Sequence, residues 1–410
     1  MAATATSTAK TAARLSLIAP LLLLVALLAA LALIPGCASD ESTSTAPNGG
    51  SASPLAASAH MDEAADIVAG LSLEQKVAQL FIVRPEDLAF EEQMTMPSSA
   101  TLHGLTVRTP GGICYFAENF ASPDQARKLL NYLQQAALSA NGLPLLQCVD
   151  EEGGEVSRLA NNPNMNVQHV DAAGTIGESG SAQAAGAAAT TICAYLNDLG
   201  FNLDFTPVAD IADGAGNTIG QRAFGSDAQT VSPLVAAQVQ AFNEAGILCS
   251  AKHFPGIGGV SGDSHDDIIT TKESLADLQA SEFLPFQAAI EAGVPMVMVG
   301  HIACPNVTGN TLPASLSPEM MRILREDLGF EGVIITDSLE MGAITGGHTD
   351  AETATMALQA GADLVLLPND YEAAYQSVLD AVKNGELSEE DLDGHVQRII
   401  AMKLTLDARS

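Results

Sequence analysis

Short apolar runs alternate with helical patterns along the chain from about residue 62 onward. The runs are continuous rather than alternating apolar and polar, which is typical of parallel strands buried on both faces. Eight of them predict strands: LFIV (80–83), GGICYF (111–116), PLLQCVD (144–150), FNLDFTPVAD (201–210), ILCSAKHF (247–254), VPMVMVGH (294–301), EGVIITDS (331–338) and ADLVLLP (362–368).

The segments between these runs are amphipathic and rich in Ala, and several end at a Gly that suits a helix C-cap. The clearest are SPDQARKLLNYLQQAALSA, ESLADLQASEFLPFQAAIEAG and SPEMMRILREDLGF. Eight alternations within about 350 residues predict the α/β class and a single (β/α)8 TIM barrel. A doubly wound, Rossmann-like sheet is the alternative on the pattern alone, although it usually needs fewer strands.

Polar side chains follow the predicted strands at their carboxyl ends. In a barrel these ends meet at one mouth, so the side chains can surround one substrate. The residues concerned are Asp150, Asp210, Lys252, His253, His301 and Asp337.

The N-terminal segment has a different pattern. Lys10 and Arg14 precede an unbroken apolar stretch from Leu15 to Cys37, and no acidic residue occurs before it. This arrangement predicts a secretory signal over 1–36. The residues before Cys37 resemble the lipobox of bacterial lipoproteins, which implies lipidation of Cys37. An uncleaved anchor is the alternative, since about 20 apolar residues can span a bilayer; either predicts an extracytoplasmic protein attached to the cell membrane.

Residues 37–61 are mostly Ser, Ala, Thr, Gly and Pro and have no periodic apolar face. Such a segment cannot bury enough surface to fold, so it predicts a flexible tether. The catalytic domain is then expected over 62–410.

The charge is strongly acidic, with 49 Asp plus Glu against 17 Lys plus Arg and a net charge of −32. A surface of this sign repels phosphate backbones, which argues against nucleic-acid binding. Five cysteines follow Cys37, and none of them forms a CxxC pair. The odd number and the spacing argue against a disulfide framework or a zinc site.

The stretch KHFPGIGGVSGDSH (252–265) concentrates reactive side chains among glycines. It does not complete a dinucleotide fingerprint, because Ser261 occupies the place of the third glycine, and it lacks the GK[ST] of a P-loop. A metal site is a second interpretation, but the spacing fits no HxH or HExxH motif, and Lys252 would put a cation at the metal position. A plain turn with core histidines is the third. The metal ligands would be His253, Asp263, His265 and Asp267.

An acid/base interpretation explains more of this stretch. Asp263 and His265 are two positions apart, so in an extended segment both side chains face the same way and the carboxylate can polarise the imidazole. The glycines would let the pair move over the barrel mouth. Asp337, after a very apolar strand, is a candidate nucleophile, although an Asp at a strand end can also be a helix N-cap.

Three groups of residues together resemble family 3 glycoside hydrolases, in their NagZ-like β-N-acetylglucosaminidase branch. They are KHFPG (252–256), the Asp263-Ser264-His265 triplet and Thr336-Asp337. The resemblance extends from about residue 65 to 405 and includes VDEEGGEVSRL, NLDFTPVADI and GQRAFG. It implies hydrolysis with retention of configuration and without a metal or organic cofactor, by a protein we expect to be a monomer.

The resemblance also implies a role for each matching residue. Asp337 would be the nucleophile, His265 the acid/base and Asp263 the residue that tunes His265. The terminal sugar's hydroxyls would be held by Asp150, Arg158, Arg222, Lys252 and His253. The expected substrates are glycans or peptidoglycan fragments that end in β-linked N-acetylglucosamine.

Three positions depart from the family pattern: Ile257 replaces a His within the loop, Glu155 replaces an Arg and Ser338 replaces an Asp. Glu155 reverses a charge near the pocket, which bears on the leaving group. Within the same family, a phosphorylase remains an alternative, because a neutral histidine tolerates phosphate where a carboxylate would repel it. A β-glucosidase or β-xylosidase is another alternative, and a non-catalytic carbohydrate-binding lipoprotein is a third.

Overall fold

The protein was analysed as a computed structural model that describes residues 58–89, 92–212, 219–260, 269–341, 344 and 348–407. Three of the predicted functional residues, Cys37, Asp263 and His265, lie outside the described residues. The predicted signal segment lies outside them as well.

Eight parallel strands form one sheet in which the first seven pair in the order of the chain. The first strand also pairs with the last, with Phe81 opposite Val365, and a parallel bridge between Ile335 and Leu364 joins the two ends of the sheet. The strands are β1 (Phe81–Val83), β2 (Gly112–Cys114), β3 (Leu146–Val149), β4 (Leu203–Asp204), β5 (Leu248–Phe254), β6 (Met296–Val299), β7 (Val333–Thr336) and β8 (Val365–Leu366).

Each barrel strand lies inside one of the eight predicted runs, so the (β/α)8 barrel is confirmed and the doubly wound alternative is wrong. Four shorter strands lie outside the barrel sheet. Glu151–Gly153 pairs antiparallel with Val156–Ser157, and Ile269–Thr270 pairs parallel with Ile302–Ala303.

Helices surround the strands. The described α-helices are Met61–Gly70, Leu73–Gln79, Ser99–Val107, Pro123–Asn141, Ala173–Gly177, Ala182–Leu199, Ala228–Ala245, Leu275–Ala280, Phe283–Glu291, Pro305–Thr308, Pro318–Arg322, Asp350–Ala360, Tyr371–Asn384 and Glu389–Asp407. Short 3₁₀ segments occupy Pro85–Leu88, Ala117–Asn119, Gly220–Arg222 and Ala314–Leu316, and Ile323–Asp327 is a π-helix. Within the part of the chain that the structure describes, no helix is both long and apolar enough to cross a membrane.

The local sequence explains where a typical helix begins and ends. Pro123–Asn141 starts after Ser122, whose side chain accepts a hydrogen bond from the backbone N–H of Gln125, as an N-cap does. It ends at Gly142, whose φ of 77° is left-handed, a conformation that costs glycine little. The helix predicted over ESLADLQASEFLPFQAAIEAG is two helices, because the backbone leaves the helical region at Ser281, with φ −135° and ψ −83°.

The last helix, Glu389–Asp407, buries a lysine near the amino ends of β1 and β2. Lys403 is 1% exposed, and its Nζ donates a hydrogen bond to Oε1 of Gln79 at 2.7 Å. The Gln79 amide in turn donates to the carbonyl of Thr109 at 3.0 Å. Burial lowers the pKa of Lys403 to about 7. The lysine is therefore largely neutral in the folded protein above this pH.

We expect stability to rise with pH because of Lys403. Between pH 7 and its ordinary pKa of 10.5, the unfolded chain binds a proton that the folded chain does not, and such a difference stabilises the folded state as pH increases. From pH 7 to about pH 9 the gain should be about 2 kcal/mol. Urea unfolding of wild type and Lys403→Met across this range measures it, since the variant lacks the titrating group. Parallel pH dependences of the two proteins would show that Lys403 stays charged.

Candidate active site

A cavity of about 610 Å³ lies at the carboxyl ends of the barrel strands. It brings together the six predicted site residues that the structure describes: Asp150, Arg158, Arg222, Lys252, His253 and Asp337. Asp150 directly follows β3, Lys252 and His253 belong to the end of β5, and Asp337 directly follows β7. The barrel topology therefore assembles groups that are up to 187 positions apart in the sequence.

Lys252 lies at the centre of the charged part of the cavity. Its Nζ is 2.7 Å from Oδ1 of Asp150 and 2.7 Å from Oε1 of Glu152, and its side chain is 2% exposed. Burial alone would lower the pKa of Lys252, but the two carboxylates more than offset it and the pKa lies above its ordinary value. The ammonium is therefore fixed in its charged form, as a donor to a ligand's oxygens requires.

Glu152 joins this lysine to Arg222. The guanidinium of Arg222 donates from Nε to Oε2 at 2.9 Å and from a terminal nitrogen to Oε1 at 2.8 Å. Burial acts to raise the pKa of Glu152, but Lys252 and Arg222 lower it to about 2. The carboxylate is thus ionised at any ordinary pH, and it orients both cations toward the cavity.

Glu152 lies within VDEEGGEVSRL and had no predicted role. Side chains alternate along the strand Glu151–Gly153, so Glu151 faces away from the cavity while Glu152 faces it. Glu151 accepts hydrogen bonds from the backbone N–H groups of Leu159 and Ala160 and from the hydroxyl of Tyr195. The alternation of side-chain direction after Asp150 is the sequence signal that puts Glu152, and not Glu151, on the cavity side.

Asp204, the last residue of β4, supports the strand Glu151–Gly153. Its Oδ1 accepts a hydrogen bond from the backbone N–H of Glu151 at 2.9 Å, and it is fully buried. Burial raises the pKa of Asp204 well above its ordinary value. Burial therefore favours the protonated form of the carboxyl group that anchors the segment carrying Asp150 and Glu152.

Because burial favours the protonated form of Asp204, we expect Asp204→Asn to stay within about 1 kcal/mol of wild type in stability and to keep most of its activity. Asp204→Ala leaves the N–H of Glu151 without its acceptor, which should cost about 1–3 kcal/mol. Urea unfolding and kcat/KM of the two variants give the comparison. Equal damage in both would mean that Asp204 acts as an ionised carboxylate.

Asp210 differs from its predicted place. It was expected at the mouth with the other strand-end groups, but it is fully buried and does not line the cavity. Its Oδ2 lies 2.7 Å from Nδ1 of His253, and its Oδ1 accepts the backbone N–H of Ile257 at 2.8 Å. Asp210 supports the strand end instead, because both oxygens are used in holding it.

The same contact defines which nitrogen of His253 is available. With Nδ1 donating to the Asp210 carboxylate, Nε2 is the ring nitrogen left for a ligand. Of the four residues considered for a metal site, only His253 lies within the described residues, and its Nδ1 is already engaged by Asp210.

Asp337 follows β7, which lies four strands from β3, the strand that Asp150 follows. Its carboxylate therefore enters the barrel mouth from the side opposite Asp150. Its Oδ1 accepts the backbone N–H of Ser338 at 2.8 Å. The donor is the adjacent residue, whereas an N-cap accepts from the second or third residue of a helix. Burial acts to raise the pKa of Asp337, but the imidazoles of His253 and His301 lower it and the net shift is downward. Asp337 is therefore ionised at neutral pH and able to act as a nucleophile.

His301, another predicted strand-end group, is buried beside Asp337. Its Nδ1 lies 2.8 Å from the hydroxyl of Ser315, and its Nε2 lies 2.9 Å from the carbonyl oxygen of Ser338. The histidine thus holds Ser338, the residue that follows Asp337, and it is not among the residues that line the cavity.

The outer part of the cavity contains residues that the sequence pattern does not predict. Glu340 lines it, and both of its oxygens accept hydrogen bonds from Arg84 at 2.7 Å. The guanidinium carbon of Arg84 lies 3.9 Å from the ring centroid of Phe116, which also lines the cavity. Arg84 and Glu340 are 256 positions apart, and no local sequence pattern indicates that they pair.

Comparison with known proteins places the chain among carbohydrate-active enzymes. The family model described as glycosyl hydrolase family 3 N terminal domain matches residues 72–402. Beta-hexosaminidase LpqI of Mycobacterium tuberculosis is 32% identical over 394 residues, which cover 93% of this chain and 96% of that protein. Beta-hexosaminidase A of Pseudoalteromonas piscicida is 32% identical over 324 residues, which cover 73% of this chain.

A solved family 3 β-N-acetylglucosaminidase from Paenibacillus sp. str. FPU-7 superimposes with a TM-score of 0.78 at 37% identity, covering 83% of this chain. This chain spans 64% of the Paenibacillus protein and 54% of the Pseudoalteromonas enzyme. The family match therefore covers most of this chain, whereas those two relatives are considerably longer. On the family match and the barrel architecture together, the chain belongs to glycosyl hydrolase family 3 and is a glycoside hydrolase.

Proposed function

We propose that the protein is an exo-acting, retaining β-N-acetylglucosaminidase that removes terminal β-linked N-acetylglucosamine from glycans or peptidoglycan fragments. The observation that carries this proposal is the position of Asp337, an ionised carboxylate in the same cavity as the charged group around Lys252. The names of the relatives, beta-hexosaminidases and a β-N-acetylglucosaminidase, support the choice of sugar.

The cavity suits the end of a glycan. Its volume of about 610 Å³ lies within the range of small-molecule sites, about 300–1,000 Å³. Its polar groups, the buried Lys252 and the partly buried Arg222 and Asp150, are held by ion pairs among themselves and with Glu152 before any ligand binds. A terminal sugar can replace water against these preorganised donors and acceptors, with its hydroxyls as their partners. This arrangement supports the proposed exo mode of action.

The proposed reaction has two steps. A carboxylate oxygen of Asp337 attacks the anomeric carbon, the glycosidic bond breaks, and His265 gives its proton to the departing oxygen. Water then attacks the same carbon, His265 takes a proton from it, and the sugar leaves Asp337 with its original configuration. Asp263 is assigned to tune the basicity of His265.

Nitrophenyl β-glycosides of N-acetylglucosamine, glucose and xylose, assayed with and without inorganic phosphate, test the activity. We expect hydrolysis of the N-acetylglucosaminide, no dependence on phosphate, and a large loss in His265→Ala. Formation of a sugar 1-phosphate would indicate a phosphorylase, and preference for the glucoside or xyloside would indicate another branch of the family. Absence of turnover on all three would favour a binding protein.

We also propose that Cys37 carries a lipid that anchors the enzyme to the outer side of the cell membrane, as the N-terminal segment indicates. Expression of the full chain with Cys37→Ser in a bacterial host should move the protein from the membrane fraction to the soluble fraction. Retention of the variant in membranes would favour the uncleaved anchor.

A further inference from the structure

The charged groups at the buried end of the cavity are largely paired with one another. Glu152 accepts from both Lys252 and Arg222, and Asp150 lies 2.7 Å from Lys252 and 3.8 Å from Arg158. These are the groups that meet the terminal sugar. Three cations here face two carboxylates, so this end has no excess of negative charge.

The exposed end is different. Three carboxylates line the cavity beyond those of Asp150 and Glu152, and they belong to Glu155, Asp337 and Glu340. Asp337 is the nucleophile of the proposed function. Both oxygens of Glu340 accept hydrogen bonds from Arg84. Glu155 is exposed, and among the described residues no ion pair or hydrogen bond engages its carboxylate.

The backbone that carries Glu155 is also constrained. It follows the turn at Gly153 and Gly154, whose φ angles are 91° and 60°. The N–H of Gly154 donates to the carbonyl of Val170 at 2.9 Å, and a Cβ added to Gly154 would lie 2.6 Å from the Cβ of Ala172. The turn is therefore packed closely against a neighbouring segment, so the carboxylate projects from a constrained backbone.

One hairpin thus serves both ends of the cavity. The strand Glu151–Gly153 supplies Glu152 to the buried end, and the residue after the turn supplies Glu155 to the exposed end. In an exo-acting enzyme the terminal sugar occupies the buried end and the leaving group faces the exposed end. The leaving group consequently meets the carboxylate of Glu155, which forms no ion pair with any residue that the structure describes, in a protein whose net charge of −32 has the same sign.

We propose that Glu155 selects the leaving group by its charge, favouring an aglycone that carries an amino group, such as a 2-amino sugar, over one that carries a carboxylate. This inference rests on the proposed function, because it needs the terminal sugar to occupy the buried end. A protonated amine gains from the field of Glu155, whereas a carboxylate is repelled by it, and a neutral aglycone is nearly indifferent.

Three disaccharides test the proposal: β-1,4-linked N-acetylglucosaminides of glucosamine, N-acetylglucosamine and N-acetylmuramic acid. They carry a cationic, a neutral and an anionic aglycone when assayed at about pH 6, below the ordinary pKa of an amino group of about 8. The wild type should show the highest kcat/KM on the first and the lowest on the third. We expect Glu155→Gln to reduce the ratio of the first to the third about three- to tenfold, as an exposed charge allows.

Glu155→Lys should reduce the ratio further and reverse the order of the charged substrates. Salt at about 1 M, where the screening length is about 3 Å, should reduce the wild-type ratio toward that of Glu155→Gln. Glu386→Gln removes an exposed carboxylate from the turn after Tyr371–Asn384 and should leave the ratio unchanged. Thermal unfolding checks that all variants are folded.

An equal kcat/KM on the three disaccharides, or an unchanged ratio in Glu155→Gln, would overturn the inference about Glu155. Hydrolysis of the neutral disaccharide would still support the proposed function in that case. Failure of the wild type on the neutral disaccharide would contradict the proposed function itself, and the inference with it.

Discussion

Asp337→Ala should lower kcat/KM on a nitrophenyl N-acetylglucosaminide by at least about 10³-fold while leaving thermal unfolding close to that of wild type. Loss of a covalent nucleophile removes the first chemical step, and nucleophile substitutions in other hydrolases cost at least this much. The carboxylate faces the cavity rather than supporting the core, so the fold should tolerate its removal.

Azide sharpens this prediction because a small anion can occupy the space left by the side chain and attack the anomeric carbon itself. Asp337→Ala should regain activity with azide and form a glycosyl azide of inverted configuration. Asp380→Ala removes an exposed carboxylate from the helix Tyr371–Asn384 and should match wild type with and without azide. Activity above about a tenth of wild type in Asp337→Ala, without azide, would show that another group is the nucleophile.

Glu152→Gln should lower the free energy of unfolding by about 3–5 kcal/mol, because two cations, Lys252 and Arg222, lose the buried carboxylate that they share. Glu155→Gln, three positions away and exposed, should change it by less than about 0.5 kcal/mol. Urea unfolding at neutral pH compares the matched pair, and similar values for the two variants would contradict the ion-pair account.

The pH dependence provides a second measure of Glu152. Its pKa is about 2 in the folded protein against an ordinary value of 4.5, so its contribution to stability is complete above about pH 4.5 and is lost as pH falls toward 2. The difference between wild type and Glu152→Gln should shrink over this window. If the stability difference between the two proteins stayed constant as pH fell to about 2, the Glu152 carboxylate would not be held in its ionised form.

The barrel strands could be predicted because each is buried on both faces and therefore continuously apolar. Their lengths could not. FNLDFTPVAD suggests a long strand, but regular pairing covers Leu203–Asp204 only, with a single further bridge from Val208 to Lys252. Pro207 has no N–H to donate to the ladder, which explains part of the difference.

The sequence predicts the part of the site that depends only on the order and direction of the barrel strands. Parallel strands bring Asp150, Lys252 and Asp337 to one mouth whatever the details of packing. Pairwise contacts decided the rest. Asp210 was wrongly placed at the mouth because its burial depends on the N–H groups and the imidazole that surround it, and a single sequence does not show which strand-end acid receives them.

Covalent trapping tests the central claim, that Asp337 is the nucleophile, most directly. Wild type would be incubated with a fluorinated N-acetylglucosaminyl fluoride whose glycosyl-enzyme hydrolyses slowly, and its intact mass and peptides would be measured. We predict one added sugar per chain, located on Asp337, and no labelling of Asp337→Ala. A label on another residue, or turnover with no covalent species while the product retains its configuration, would contradict it.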